Sequence, residues 1–468
     1  MAQTIRTAEK RLGLSTRDII TTYTLCPVCH RRYDHSYIAT AQEDTCVNIG
    51  CTGILFTEKV LATGERRRVS NLTYPTGSII AWLKRMFLQP GIAELMQSWR
   101  TRAEDTEEFT RPISADEWLE ACDPNEPLGD ISEGYAWRER HAGLREGGNL
   151  VYDDTELDPP VRFSSLPFGI SLSMNTDWLG SRQQKNGAAT RTFVWRVFPG
   201  PGEPKQYGLD QMLEPIVKEL LELHSGVELR VRTGDPAVYE QCMVHANLCH
   251  HIADLIARIK IGGGAGVASE LNFCLYCRSR LSSISVPAGF IRDNFPYRDP
   301  MEDLQNAYFW RSLESDEDRE LFFEETGNRF TILQLLPGWH TSSCSPPDAM
   351  HLLYLGASNW ILKQVVTGPN LLAPRVPNRP NPVDIYNTAL EDDLWLPYSV
   401  GRLPPKLGQS RGRIKADQLK LMSKLMFVLF YLAMRDGDDL SEVNAPRGTK
   451  SSTGGKHQLK RAKLLHKL

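Results

Sequence analysis

The 468-residue chain has no apolar run long enough to cross a bilayer. A membrane-spanning helix needs about 20 mainly apolar residues. The longest candidate, the ten residues Leu425 to Met434, lies between Lys424 and Arg435 and reads as a buried helix. The opening residues MAQTIRTAEKRLGL are charged and lack an apolar signal segment, so an intracellular protein is expected. Several catalytic signatures are missing as well. Gly262 to Gly266 lacks the Gly-Lys-Ser/Thr ending of a phosphate-binding loop. There is no His-Glu-x-x-His and no Gly-x-Ser-x-Gly, which removes the commonest metalloprotease and hydrolase readings. The aromatics are scattered rather than interleaved with bases, which argues against a stacking platform for single strands. No internal repeat is present, and a net charge of −3 excludes a global polycation.

What is there is an ordinary globular composition, 41% hydrophobic and 24% charged, enough for a sizeable core and about two to four domains. Charge is unevenly placed. Acidic residues gather from Glu104 to Asp130; basic ones gather at Arg66–Arg68, from Arg402 to Lys424 and from Arg447 to Lys467. Each basic run reads either as a solvated face or as a patch for an anionic partner.

Ten cysteines in an intracellular chain point to metal rather than disulfides wherever they fall in close pairs. Cys26-Pro-Val-Cys29 is followed by sixteen residues, then Cys46, four residues and Cys51. Two such pairs, brought together by a hairpin, supply the four soft ligands of a tetrahedral zinc ribbon. The competing reading is four buried free thiols, and His30, Asp34 and His35 lie near enough in sequence to compete as ligands. Four thiolates leave no open position for water, so the zinc would be structural and would carry the folding of a small module. Cys274-x2-Cys277 is a candidate second zinc half-site. It lacks a matching pair, and Cys344, His340, His351 or His250-His251 would have to complete it in space; packed thiols are the alternative.

Patterning sets out the rest. Residues 76–99 read as helix broken at Pro90-Gly91. Phe168, Ile170, Leu172 and Met174 alternate with small or polar residues, the period of a strand with one buried face, and Asp177 follows. Thr190 to Phe198 reads as another strand. Met212, Leu213, Ile216, Val217, Leu220 and Leu221 make one helical stripe ended by Gly226. Cys242, Val244, Ala246 and Leu248 alternate again ahead of Asp254, and residues 416–434 form a strong helix. Two aspartates at neighbouring strand ends are able to hold Mg2+ through hard oxygen ligands for phosphodiester chemistry. The competing role for each is a turn residue or a helix N-cap.

The surrounding words carry a resemblance. LSMNTDWLG around Asp177, PGPGEPKQYGLDQMLEPIVKELLEL (199–223), HIADLIARIKIGGGAG (251–266), FCLYC (273–277), PPDAMHLLYLG (346–356) and SVGRLPPKLGQSRGRIKADQ (399–418) resemble, in order, blocks of the fungal CACTA-type (En/Spm-like) DNA transposases. The CPVC ribbon and YPTGSIIAWLKRMFLQPGIAELM upstream are similar to that family's N-terminal region. The resemblance implies an α/β, ribonuclease-H-like core with a DDE/D acid set, behind an N-terminal zinc ribbon and helical segments. Asp177 would be the first catalytic acid, Asp254 the second, and Asp348 in DAMH the third, with Asp417 the alternative. His351 would orient the site, or else serve as a core histidine. Structural Zn2+, catalytic Mg2+, transposon terminal-repeat DNA, a nuclear location and self-association follow from the same resemblance.

The implied organisation is an arm (1–23), a zinc ribbon (24–60), a helical region (61–125), an acidic linker (126–160), a transposase core (161–435) and a disordered basic tail (436–468). One interval departs from the family. Only twenty residues separate Trp178 from Pro199, where the ribonuclease-H meander needs further strands. The tail also resembles nothing in the family. The sequence therefore predicts an incomplete core. Cleavage and strand transfer of DNA are one expectation; a catalytically inactive remnant that binds DNA or protein through its zinc module is the alternative. An unrelated metal-stabilised globular protein is the third.

Overall fold

The computed structural model describes residues 19–100, 103–144, 157–176, 204–234, 238–367, 371–372, 380–397, 403, 414–442, 445–446 and 453–467. They form a mixed α/β protein with small sheets, divided into two units at Pro346 and Pro347. The single core expected over 161–435 is thus split.

The first unit begins with β1 (Ile20–Leu25), β2 (Arg32–Tyr33), α1 (His35–Thr40), β3 (Phe56–Val60), β4 (Arg66–Ser70) and β5 (Thr73–Gly77). β2, β1 and β5 make an antiparallel sheet in that order, and β3 and β4 form a separate hairpin. The cysteine-bearing segment, a candidate metal module, therefore extends beyond the 24–60 expected for it. Residues 66–77 are strands rather than helix because they complete this module, with Tyr74 paired against Tyr23. Helix begins at α2 (Ile79–Phe87). Its first turn is capped by the Ser78 side chain, which accepts from the Ala81 N–H, and by Glu219, which accepts from the Ile79 N–H at 2.6 Å.

The expected acidic linker carries two short helical turns, Ile131–Glu133 and Tyr135–Arg138. It is held by a buried ion-pair group in which Arg138 and Arg162 both donate to Asp105. An apolar count of the segment misses that anchor.

The second sheet comprises β6 (Gly169–Thr176), β7 (Val227–Thr233) and β8 (Val238–Ala253), with α3 (Gln206–Ser225) before β7 and α4 (Leu255–Gly262) after β8. The order is β6-β8-β7; β6 runs parallel to β8 and β7 antiparallel to it. Phe168, Ile170, Leu172 and Met174 pack on the core face, as their alternation predicts. Leu172 pairs with Leu248, but Ser173 pairs with His250, so Cys249 is an extra residue in β8. The expected strand Thr190–Phe198 lies outside the described residues.

α3 lies between the two sheets. Leu213, Ile216, Val217 and Leu220 pack into the core with β6, β7 and β8, while Met212 packs against Leu25 and Tyr74 of the metal module. Pro215 sits inside this helix and has no N–H for the Gln211 carbonyl. Arg32 of the metal module supplies a donor instead, at 3.3 Å, and pairs with Glu214 at 3.0 Å. The Tyr74 hydroxyl donates to the Met212 carbonyl at 3.0 Å. Helices α5 (Pro300–Ser312) and α6 (Asp316–Thr326) follow.

The second unit holds the helical stretches Met350–Ser358 and Ile361–Thr367, then α7 (Pro382–Thr388), α8 (Ala416–Met434) and α9 (Thr453–Lys467). Its core is built from Leu362, Tyr386, Met422, Met426, Leu429 and Ala462 among others. The tail expected to be disordered is thus helical over 453–467. Its apolar positions Leu459, Ala462 and Leu465 fall at helical spacing between Lys456, Lys460, Arg461, Lys463 and Lys467, whose charges mask the pattern. Among the described residues no helix is long and apolar enough to span a membrane.

Candidate metal centre

Cys26 and Cys29 lie in the turn between β1 and β2; Cys46 and Cys51 lie in the loop before β3. The Cys46 N–H donates to the Gly53 carbonyl at 2.8 Å, and Thr45 bridges Ile54, which folds the second pair back on itself. The four sulfurs converge within 4.8 Å of one another. Cys26 and Cys51 are 3.5 Å apart and Cys29 and Cys46 3.6 Å. Zinc–sulfur bonds of about 2.3 Å in a tetrahedron place sulfurs about 3.8 Å apart, so the donor set fits zinc. The set is complete with four thiols. His30, Asp34 and His35 are not part of it, and Asp34 stands at the N-cap of α1.

Further contacts orient the ligands. The Val28 N–H points at the Cys26 sulfur (3.4 Å) and the Asn48 N–H at the Cys46 sulfur (3.5 Å). The Tyr33 hydroxyl accepts from the Val47 N–H at 3.0 Å and lies 3.1 Å from the Cys46 sulfur, toward which it donates. Gly53 packs so closely that a Cβ there would overlap the Cys26 sulfur. Neither Tyr33 nor Gly53 emerged from the cysteine spacing. Their signal is position, an aromatic four residues past Cys29 and a glycine two past Cys51.

Burial pushes the Cys26 thiol up and the Cys29 thiol up to about 12. Burial raises Cys46 too, but hydrogen bonds from Tyr33, the Asn48 N–H and the neighbouring thiols outweigh it and bring Cys46 down to about 7. Without a cation Cys26 and Cys29 therefore keep their protons at neutral pH, and zinc would displace them on binding. Four thiolates close the coordination sphere, so such an ion staples the fold and performs no chemistry.

Asp177 lies outside the described residues. Asp254 immediately follows β8 and caps α4, its Oδ1 accepting from the Ala257 N–H at 2.8 Å. Nearby His251 is fully buried; its Nε2 lies 2.8 Å from the Thr176 hydroxyl, and its Nδ1 lies 3.4 Å from the Ser345 hydroxyl. In the second unit Asp348 accepts from the Met350 N–H at 2.9 Å and lies 2.5 Å from His351 Nδ1. Asp417 is exposed in the first turn of α8. Among the described residues no third His, Cys, Asp or Glu joins Cys274 and Cys277. Their sulfurs have local partners: the Tyr276 N–H donates to Cys274 at 3.4 Å, and Cys277 lies 3.4 Å from the Ser279 hydroxyl. Cys344 is buried against Arg140, 3.0 Å away.

Comparison with protein-family models, with curated proteins and with solved structures finds no match for this chain.

Proposed function

We propose that the chain is a transposase-derived DNA-binding protein, stapled by zinc at Cys26, Cys29, Cys46 and Cys51, whose β6 and β8 strand ends carry the acids of a phosphodiester-cleaving site. One observation carries this reading. β6 and β8, from distant parts of the chain, lie parallel and adjacent, with Thr176 paired to Ala253. Each of these residues is followed directly by an aspartate, Asp177 and Asp254. Parallel neighbouring strands that end together in acids are what a ribonuclease-H-like site requires. The family words around both positions support the same assignment. Mg2+ bound there would stabilise the charge that develops on phosphate oxygens. Asp254 uses Oδ1 to hold α4 in place and leaves Oδ2 as the ligand oxygen.

A second reading, a remnant that binds DNA without cutting it, has its own support. Capping α4 accounts for Asp254 with no metal at all. Duplex DNA incubated with the full chain and Mg2+ separates the two. Asn caps helices as well as Asp does but is not an anion. The cleaving reading therefore expects nicking by the parent that disappears in Asp254→Asn and in Asp177→Ala, with zinc content unchanged. Salt-sensitive binding without nicking establishes the remnant. Nicking that survives both substitutions removes the acid assignment.

A further inference from the structure

The β3–β4 hairpin has two unlike faces. Its register pairs Glu58 with Arg68, Lys59 with Arg67 and Val60 with Arg66. Opposed residues share a face, and successive pairs alternate between faces. On one face Glu58 lies 3.6 Å from Arg68 and 3.8 Å from Arg66. Arg68 is also fastened inward. Its guanidinium sits 4.8 Å from the centre of the Phe56 ring and donates to the carbonyls of Ile38 (3.1 Å) and Ala41 (2.7 Å) at the end of α1. That face sets one carboxylate between its two arginines and is tied to the metal module.

The other face is different. Lys59 and Arg67 stand directly opposed and exposed, and among the described residues neither pairs with a carboxylate. Glu65 at the turn makes no ion pair with either. Opposed like charges destabilise a hairpin, so this pair works against the folding of the element that displays it.

We propose that the Lys59–Arg67 face binds phosphates and that the hairpin docks as a two-stranded ribbon on duplex DNA. The inference rests on the DNA-binding reading above and adds the place of contact. Two strands about 4.8 Å apart, with their side chains, match a major groove about 12 Å wide. Thr57 and Val69 complete the face beside the two cations, with no aromatic ring to favour a bilayer surface over a polyanion.

The test uses the full zinc-loaded chain and a fluorescently labelled mixed-sequence duplex, with affinity followed across salt concentrations. Arg67→Glu should weaken binding at least about tenfold, the loss of one cation and the gain of one anion at a phosphate contact. Its melting temperature should stay level or rise, because Lys59 then faces an opposite charge. Lys59→Gln with Arg67→Gln should lower the salt slope by about 1.8, roughly 0.9 for each phosphate released. Zinc content should be the same in every variant. Equal affinity of the parent and both variants for the duplex overturns the ribbon and leaves DNA binding standing. A parent with no affinity for the duplex overturns both. Binding that falls for phosphatidylserine vesicles while duplex binding is unchanged replaces DNA with a lipid surface and also overturns the proposal.

Discussion

Gly53 has no side chain, and the Cys26 sulfur occupies the place where one would start. Gly53→Ala must push either the sulfur or the Cys46–Cys51 loop aside. We expect it to weaken zinc binding roughly 10- to 100-fold, the range typical of changes that disturb a ligand's support. Competition with a calibrated chelator would measure this, and parent-like affinity would show that the loop yields freely. At this scale the clustering of the four cysteines was legible, because metal geometry imposes a sequence spacing. Tyr33 and Gly53 were not, because a hydroxyl that orients a sulfur and a gap that admits one leave no periodic trace. Asp254 was legible as a residue after a strand, and spacing left open its two roles, acid or N-cap.

At the scale of elements, Pro215 and Arg32 act together. The proline leaves the Gln211 carbonyl without its helical donor, and Arg32 supplies one from the metal module while pairing with Glu214. Arg32→Ala should destabilise the first unit by about 1–3 kcal/mol, since it leaves the half-buried Gln211 carbonyl without a donor and Glu214 with Lys218 as its remaining partner. Pro215→Ala restores an N–H inside the helix, so the cost of Arg32→Ala should be smaller in that background. Urea unfolding of the four proteins of this cycle measures the coupling; strict additivity would mean that the two positions act separately. The helix itself was legible from its apolar stripe. Its docking was not, because that depends on a missing N–H meeting a guanidinium from far along the chain. α9 was hidden for a third reason: lysines and arginines surround a three-position apolar stripe and dominate its average polarity.

At the scale of the molecule, the first unit buries several neutral histidines. Burial lowers His224 and His251 to about 4, and lowers His245, His250 and His340 as well. In the unfolded chain these rings take up protons near pH 6.5. Their contribution is therefore fully present above pH 6.5 and is lost as pH falls toward 4. Asp210, which burial pushes up to about 6, acts in the opposite sense, because the folded state binds its proton first as pH falls. Burial raises Asp303 in the same direction as Asp210, and the histidines outnumber the two, so stability should decline on acidification from pH 6.5. In His251→Gln the decline should be shallower by about 1.4 kcal/mol per pH unit at most. Parallel slopes for parent and variant, from urea unfolding at pH 7, 6 and 5, would remove His251 from this account.

The extra residue at Cys249 changes the parity of β8. Even-numbered side chains, Val244, Ala246 and Leu248, face the core before it; odd-numbered His251, paired with Met174, does so after it. Gaining or losing one codon between Ala246 and Ile252 would therefore swap inside for outside over the rest of the strand and re-aim the aspartate at its end. In this stretch chain length is under tighter constraint than composition, and single-residue indels should do more harm than conservative replacements.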